Sequence, residues 1–283
     1  MAPLRTLSVV AALLAAAAPG AAAAEASGAD APRKTVLVAG ATGKTGVLVY
    51  KMLRDLGKYE VRGLVRNATK AREVLGCGAC TEAEGIFVGD VTNEASLAAP
   101  TQGADALMVL TSAFPTCDFT SKPPKCHFPP GATPKEVDWD GARSLVSSFG
   151  RQNPKGAVLV CSSMATTSPK APVFDGDGHL LFYKLNQEAM VMNTGLPWTI
   201  VKPCGLSDEA EGQKTLTVGH DDTLDTKTTV SRADVARAMV EALDRAEFGL
   251  RFDMCATPGK PAQPTDYGAL LAAARVPFWG QGQ

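Results

Sequence analysis

The chain has few aromatic residues and no excess of either charge, so it lacks the composition of a large aromatic or charged binding surface. Aromatic residues make up 6% of its 283 residues, and 28 Lys and Arg nearly balance 29 Asp and Glu, so the net charge is -1. Without a basic excess, the sequence gives no reason to expect nucleic acid or an anionic membrane surface as a partner. No internal repeat of roughly 20–50 residues is visible, which argues against solenoids and propellers. We expect a small molecule as the partner, with a protein partner left open.

The N-terminus holds a long apolar run whose order is typical of a signal peptide. Arg5 precedes the apolar stretch Leu7 to Ala18, and a Pro-Gly break and four alanines follow. The run is too short and too rich in alanine to indicate a membrane span. We expect residues 1–30 to be a targeting segment and the mature chain to lack a membrane span. A tail without a targeting role is the alternative. Secretion and a two-part address ending in a plastid both stay open, whereas a cytoplasmic location is not favoured.

Seven cysteines carry information about the compartment. Cys117 and Cys126 bracket a segment rich in Pro and Lys and are candidate disulfide partners if the chain passes through an oxidising compartment. Cys77 and Cys80 form a second local pair, either two surface thiols or a bridge. No metal site is expected, because a second closely spaced pair of ligands is missing. The other three cysteines lie in or beside apolar runs and are expected in the core: Cys161, Cys204 and Cys255.

Apolar runs of strand length alternate with helix-compatible stretches, which predicts an α/β fold of the Rossmann type with a doubly wound parallel sheet. The runs are apolar throughout, as in strands that are covered on both faces. The predicted strands are Thr35–Ala39, Glu60–Val65, Ile86–Val88, Ala104–Leu110, Ala157–Val160, Trp198–Val201 and Leu250–Met254. The predicted helices are Thr45–Leu56, Lys70–Leu75, Val137–Phe149, Leu180–Met192 and Arg232–Asp244.

Two long segments interrupt this alternation, and both follow strands. Residues 114–134 contain six prolines, and residues 205–230 are rich in Thr, Asp and Gly. Ligands of open α/β sheets bind at the carboxyl edge of the strands, so we expect these two segments to form walls of a substrate site. The expected organisation is a dinucleotide-binding domain over residues 33–255, with a small substrate-side region and a C-terminal extension over residues 256–283.

The glycine-rich stretch V-L-V-A-G-A-T-G-K-T-G, residues 36–46, indicates which phosphate the chain binds. Gly43, Lys44 and Thr45 resemble the end of a Walker A loop, but Val38 stands where that loop needs its first glycine. The spacing Gly40-x-x-Gly43-x-x-Gly46 after a strand and before a helix is instead typical of a dinucleotide turn, with a structural glycine turn as the alternative.

The end of the second predicted strand favours NADP over NAD. Arg66 follows Gly46 by twenty residues, where NAD enzymes place an acidic residue on the ribose 2′-hydroxyl. Together with Lys44, Arg66 predicts a contact with the 2′-phosphate of NADP. The alternative is that both are solvated surface cations.

The order of these motifs resembles the atypical short-chain dehydrogenase/reductase family, in the branch with NmrA-like proteins and plant plastid NAD(P)-binding relatives. The matching pieces are the glycine stretch, G-L-V-R, V-G-D-V, A-D-A-L-M-V-L-T-S, V-D-W-D, G-L-P-W-T-I-V-K-P and S-R-A-D-V-A, which span residues 35 to 255. The resemblance implies that Asp90 and Val91 flank the adenine, that Leu110 to Ser112 approach the ribose, and that Pro203 to Leu206 line the nicotinamide side. The expected cofactor contacts are Gly40, Thr42, Gly43, Lys44, Thr45, Gly46, Arg66, Asp90, Val91, Leu110, Thr111, Ser112, Lys184, Pro203 and Gly205.

The catalytic motif of this superfamily is incomplete. Working members carry Tyr-x-x-x-Lys on one helix, and the resemblance places Lys184 at the lysine and Leu180 at the tyrosine. Ser163 matches the family serine. We expect Lys184 and Ser163 to be the catalytic residues. Alternatively, Lys184 forms a surface helix pair with Glu188, and the Ser163 hydroxyl bonds only to backbone.

Two function classes follow from this mixed pattern. The first is an NADP(H)-dependent oxidoreductase acting on a small carbonyl or quinone-like substrate. The second is a sensor or assembly factor that binds NADP(H) without turnover. The missing tyrosine favours the second class, and the retained lysine with two elaborate loops favours the first. Two histidines and a tyrosine are further candidates for a proton donor: His179, His220 and Tyr183.

Overall fold

A mixed eight-stranded sheet forms the centre of the protein in the computed structural model, which describes residues 32–122, 125–167, 179–225, 227–259 and 261–275. The strand order is β10-β12-β8-β7-β4-β1-β2-β3, and all neighbouring pairs are parallel except the antiparallel pair of β10 and β12. The strands of this sheet are β1 Lys34–Ala39, β2 Tyr59–Val65, β3 Ile86–Val88, β4 Ala106–Val109, β7 Ala157–Cys161, β8 Trp198–Pro203, β10 Thr215–Gly219 and β12 Leu250–Thr257. The predicted Rossmann-type α/β class is confirmed, with one antiparallel edge strand added.

Both faces of the sheet are covered by helices, which explains the continuous apolar runs. Along β1, Val36 and Val38 belong to one buried cluster, and Leu37 and Ala39 belong to the other. The helices are α1 Lys44–Asp55, α2 Ala68–Leu75, the short α3 Ala98–Thr101, α4 Ala142–Gln152, α5 Leu180–Met192, α6 Arg232–Asp244 and α7 Tyr267–Ala273. Side chains of α1 and α6 enter the first cluster, and side chains of α4 and α5 enter the second. The central strands of the sheet are therefore buried on two sides.

The two predicted loop segments contain short strands that the sequence analysis missed. In the first segment, β5 Thr116–Asp118 and β6 Lys125–His127 form an antiparallel hairpin. In the second, β9 Gly205–Ser207 pairs with β11 Thr229–Ser231, and β10 extends the main sheet. These strands have three to five residues and are rich in Thr, Gly and Ser. Such sequences give weak periodicity, so only their pairing with neighbours identifies them as strands.

Six cysteines form three disulfide bonds, and Cys161 is the free cysteine of the described chain. The expected pair Cys117–Cys126 is present and closes the β5–β6 hairpin, and Cys77–Cys80 is also bridged. Cys204 and Cys255 are buried as expected, and the structure adds that they are bonded to each other. Their separation of 51 residues hides this pairing from local sequence analysis.

The segments at the ends of the chain are only partly covered by the described residues. The predicted targeting segment, residues 1–30, lies outside them. Within the described ranges, no helix combines the length and the apolar character that crossing a bilayer requires. In the C-terminal extension, α7 packs against α6 and β10.

Candidate active site

A crevice is expected at the carboxyl ends of β1 and β4, because the strand order reverses there. From β1 the chain continues outward through β2 and β3, and it then returns to place β4 on the other side of β1. Connections that leave in opposite directions open a space between the two strands, and ligands of open α/β sheets bind at this position. The glycine turn after β1 and residues 110–113 after β4 border it.

The glycine turn after β1 is shaped for close backbone approach. Gly40 has a φ of +82°, and its carbonyl accepts a 2.9 Å hydrogen bond from the Gly43 amide. A Cβ on Gly46 would lie 2.1 Å from the Gly40 carbonyl oxygen, so α1 can start this close to the turn only without a side chain there. Gly43 is the N-cap of α1, makes no side-chain capping bond, and no acidic residue occupies the first turn. The first amides of α1 are therefore available to an anion.

We expect Gly46→Ala to abolish dinucleotide binding and to lower stability by about 1–3 kcal/mol or more, because the clash is with backbone and cannot be relieved by a rotamer change. Isothermal titration with NADPH and urea unfolding measure the two effects. Gly150→Ala in α4 is the matched control, since its Cβ would meet Leu196 at an ordinary 3.4 Å. A Gly46→Ala variant that binds NADPH like the parent would contradict this interpretation of the turn.

The two cations predicted for the 2′-phosphate differ in their surroundings. Arg66 follows β2, is exposed, and has no ion pair or hydrogen bond from its side chain to any described residue. Lys44 donates a 2.7 Å hydrogen bond to Asp208, which also accepts one from Arg232. The Lys44 hydrogen bond is the main cause that lowers the pKa of Asp208. Arg66 is thus free to bind a phosphate, whereas Lys44 is held by the segment that follows β9.

The residues expected beside the adenine lie after β3. Asp90 accepts hydrogen bonds from the Thr92 amide and hydroxyl at 2.9 Å, so its carboxylate stabilises its own turn. Val91 is buried, and a Cβ on Gly141 would lie 2.8 Å from its Cγ2 atom. Val91 therefore packs against the turn that precedes α4.

The residues expected beside the ribose follow β4 directly. The Leu110 amide donates to the Ala39 carbonyl at 3.0 Å, which continues the pairing of β4 with β1 by one residue. The Thr111 hydroxyl is buried and has no hydrogen-bond partner among the described residues, and Ser112 donates to the Ala113 carbonyl at 3.3 Å. An unpaired buried hydroxyl at this edge is available to a ligand.

Lys184 is buried and forms an ion pair with Asp138, which lies in the π-helical turn Lys135–Gly141 before α4. The Nζ–Oδ1 distance is 3.1 Å, and no other described residue donates a hydrogen bond to Oδ1. The other Asp138 oxygen accepts the Ala113 amide at 2.9 Å. This carboxylate thereby ties α5 to the chain just after β4.

The alternative of a Lys184–Glu188 surface pair is wrong. Glu188 is fully buried, accepts a hydrogen bond from Ser162, and pairs with Arg251 at 2.8 Å. Lys184 and Glu188 lie on one side of α5, but Lys184 pairs with Asp138 and Glu188 pairs with Arg251. Tertiary burial, rather than spacing along the helix, decides the pairing.

The serine turn, residues 162–167, follows β7. Ser163 is partly exposed, and its hydroxyl donates to the Met164 carbonyl at 2.9 Å, which is the backbone bond that the sequence left open as an alternative. Ser162 beside it is buried and engaged by Glu188. Burial raises the pKa of the Cys161 thiol, although Lys184 and Arg232 act in the opposite direction. This thiol is therefore protonated near neutral pH.

Leu180, the first residue of α5, packs against the apolar cluster that α4 and α5 share, so the position of the family tyrosine is apolar. Tyr183 makes an edge-to-face contact with Phe182, with ring centroids 5.2 Å apart. His179 is exposed at the start of α5, and the His220 Nδ1 lies 3.2 Å from the Arg251 carbonyl oxygen. Among the described residues, no side-chain hydrogen bond or ion pair joins any of the three alternative donors to Lys184.

Comparison with known proteins agrees with this geometry. The sequence matches the model of the NAD(P)H-binding family over residues 40–246, which is more than half of the chain. The chain belongs to the NAD(P)H-binding family. The match runs from the first glycine of the turn through α6, so it includes the glycine turn, Asp138 and Lys184.

Similar members of the NAD(P)H-binding family come from plants. An uncharacterized chloroplastic protein of Arabidopsis thaliana is 35% identical over 255 residues, which cover 86% of this chain and 76% of the relative. Sanguinarine reductase of Eschscholzia californica is 33% identical over 278 residues, which cover 88% of this chain and all of the relative. These matches confirm the resemblance to the plant NAD(P)-binding branch.

The same fold occurs in solved bacterial structures. A putative NAD-dependent epimerase/dehydratase from Bacillus halodurans superimposes with a TM-score of 0.65 at 22% identity, covering 85% of this chain and 99% of that chain. At this identity the similarity shows the fold alone. It agrees with the Rossmann-type sheet described above.

Three carboxylates of this candidate site were not predicted from the sequence. Asp138 pairs with Lys184, Asp208 engages Lys44, and Asp222 contacts the serine turn. Asp138 lies in the V-D-W-D motif, which was recognised without a role for its side chain. The other two lie in a segment whose composition indicates only a loop. Their partners are distant in sequence, so no local pattern could have found them.

Proposed function

We propose that this protein is an NADP(H)-dependent oxidoreductase that acts on a small carbonyl or quinone-like substrate. The observation that carries the proposal is the buried Lys184–Asp138 pair, which places an ammonium group beside the chain that follows β4. Burying a charge is costly, and a buried ion pair offsets that cost only partly. Such a group is expected at a site where it serves a ligand.

The glycine turn and Arg66 fit the phosphates of NADP(H). The uncapped amides of α1 suit the pyrophosphate, with Thr42 and Thr45 beside it, and the free Arg66 guanidinium suits the 2′-phosphate. Lys44 would add a second cation after exchanging its partner Asp208. When bound, the nicotinamide supplies or accepts the hydride, and the task of the protein is to position it.

Lys184 has hydrogen-bonding capacity left for a ribose hydroxyl. Its ammonium has three N–H donors, and the ion pair with Asp138 keeps it in place. The position of Ser163 at the carboxyl end of β7 suits a polar contact with the substrate. The remaining expected cofactor contacts keep the assignment given above: Asp90, Val91, Leu110, Thr111, Ser112, Pro203 and Gly205.

An exposed aromatic ring supports an apolar, flat substrate. Phe114 lies two residues after Ser112 and is 85% exposed, which is unusual for a large apolar side chain. It begins the segment that carries the disulfide-closed β5–β6 hairpin. A quinone or a polycyclic compound could stack on such a ring. Because one relative is named for sanguinarine reduction, sanguinarine joins the substrates to be tested.

A non-catalytic NADP(H) sensor or assembly factor is the second candidate. Leu180 favours it, because an apolar side chain at the tyrosine position removes the usual proton donor. The deciding experiment measures NADPH oxidation by the purified mature chain with 1,4-naphthoquinone, sanguinarine and short aldehydes. Consumption supports the oxidoreductase, and NADPH binding without consumption selects the sensor.

We further propose that the mature chain works in a plastid, reached through the secretory route. Two relatives carry chloroplastic names, and the N-terminal sequence has the order of a secretory signal. Imaging of the full chain fused to a fluorescent protein in plant cells tests this. Accumulation in the cytosol would contradict it.

Arg66→Ala should lower NADPH affinity by about 10- to 150-fold, because a charge-assisted contact contributes about 1.5–3 kcal/mol. NADH affinity should not change, since NADH lacks the 2′-phosphate. Fluorescence titration of both cofactors measures the difference. Lys51→Ala removes the same charge from an exposed position on α1 and should leave both affinities unchanged. Equal affinities for NADPH and NADH in the parent would reject the preference for NADP.

A further inference from the structure

Asp222 connects two segments that are far apart in sequence. Its Oδ1 accepts the Ala165 amide at 2.5 Å, and its Oδ2 accepts the Thr167 amide at 2.8 Å and the Thr167 hydroxyl. Both donors belong to the serine turn after β7, whereas Asp222 lies in the turn after β10. The carboxylate therefore holds the end of the serine turn at three points.

A buried lysine holds Asp222 in turn. The Lys202 side chain in β8 is 1% exposed and lies 3.2 Å from Asp222 and 3.1 Å from Asp253, which is fully buried in β12. The Asp222 amide also donates to Asp253 at 2.7 Å. These contacts fix the Asp222 carboxylate relative to the main sheet. Although burial opposes it, bonding to Thr167 and Ala165 lowers the pKa of Asp222, so the group stays ionised near neutral pH.

Backbone conformations around Asp222 are unusual on both sides of the contact. Ala165 has a φ of +70°, Asp221 of +53° and Asp222 of +62°. Non-glycine residues seldom adopt this region, and the cost is of order 1–3 kcal/mol for each. Strained residues of this kind collect at functional sites, where the surrounding contacts hold them. All three positions lie at the contact between the Asp222 carboxylate and the serine turn. This clustering favours a functional role for the contact in addition to closing the two loops.

The other end of the serine turn is fixed by β8. The Ser162 amide donates to the Val201 carbonyl at 2.8 Å, and the Met164 amide donates to the Pro203 carbonyl at 3.0 Å. Ser163 lies between these two anchors and before the Asp222 contacts. Its orientation therefore depends on the sheet on one side and on Asp222 on the other.

We propose that Asp222, held by Lys202, is a positioning residue that fixes the serine turn and thereby the place of Ser163 at the substrate side. The inference rests on the proposed oxidoreductase function and assigns a role to the segment after β10 that its composition does not suggest. Asp222 acts through the serine turn and needs no contact with cofactor or substrate. Cofactor binding at the glycine turn is independent of it.

A double-mutant cycle in the full mature chain separates positioning from general structural support. Asp222→Asn should lower kcat with 1,4-naphthoquinone by about 10- to 100-fold, the loss typical of a misplaced catalytic group, and should leave the Kd for NADPH unchanged. In the Ser163→Ala background, Asp222→Asn should have no further effect on kcat, because its influence passes through Ser163. Asp225→Asn is the control, since among the described residues its side chain accepts the Lys227 amide alone, at 3.0 Å.

A second variant covers the case in which Asp222→Asn does not fold. Thr167→Val removes one hydroxyl bond to Asp222 and keeps the ion pair of Asp222 with Lys202. It should lower kcat in the parent and have no further effect on kcat in the Ser163→Ala background. If the parent turns over and the kcat losses of the two substitutions in either cycle are additive, the positioning role is wrong. The oxidoreductase proposal is unaffected by that result. A parent without turnover would overturn the oxidoreductase proposal and this inference together.

Discussion

Lys184→Met should lower the free energy of unfolding by about 3–5 kcal/mol and remove any measurable turnover. The substitution leaves Asp138 fully buried without its counter-charge, and breaking a buried pair by removing one partner has this magnitude. The loss of turnover and of NADPH affinity follows from the missing ribose donor. Urea unfolding gives the stability change, and titration with NADPH gives the affinity.

Two controls isolate the cause of that loss. Lys135→Met breaks the exposed pair with Asp140, in which the lysine side chain is 59% exposed, and should change stability by no more than about 1 kcal/mol. Adding Asp138→Asn to Lys184→Met should recover most of the stability, because Asn still accepts the Ala113 amide without a charge. A Lys184→Met protein as stable as the parent would show that Asp138 does not depend on this pair.

Leu180→Tyr should raise kcat with 1,4-naphthoquinone by about 10²–10⁴-fold, the usual contribution of general acid catalysis. Positions 180 and 184 are neighbours on one face of α5, so the new phenol would lie beside the Lys184 ammonium. Leu180 is only partly buried against its apolar cluster, so the ring carbons of a tyrosine would lie in apolar surroundings with the hydroxyl at the end of the side chain. Steady-state NADPH oxidation measures the gain.

Phe182→Tyr is the matched control for this gain of activity. It adds the same hydroxyl on the same helix, but at a side chain that is 56% exposed and points elsewhere around the helix. Its kcat should equal that of the parent. If the parent already turns over at about 1–10³ s⁻¹, another group donates the proton, and His179, His220 and Tyr183 become the residues to test.

The fold was predictable from the sequence because its strands are buried on two faces. Apolar runs such as Thr35–Ala39 and Trp198–Val201 differ sharply from the polar helices and loops around them, and five helices were predicted within a few residues of their ends. Strands such as β9 and β11 have only three residues each and can be recognised as strands only because they pair with each other. Local sequence does not contain that information.

The glycine turn was predictable for a different reason: each glycine has a local steric requirement that the spacing alone reveals. The electrostatic partners were not predictable. Sequence spacing pairs Lys184 with Glu188, but the structure pairs it with Asp138, 46 residues away, because both side chains are buried at the same edge of the sheet. The same holds for Lys44 with Asp208 and for Cys204 with Cys255. Long-range packing decides which charges and thiols meet.

The two outer strands of the main sheet have a consequence for behaviour at high concentration. An unpaired strand edge is a template on which further chains can add and aggregate. At one edge, β3 has only three residues, Ile86–Val88, and at the other, β10 runs antiparallel and contacts α7. Three residues offer few free backbone groups to another molecule, and α7 packs beside the other edge strand. The sheet is thereby protected against growth into fibrils, even though its interior strands are almost entirely apolar.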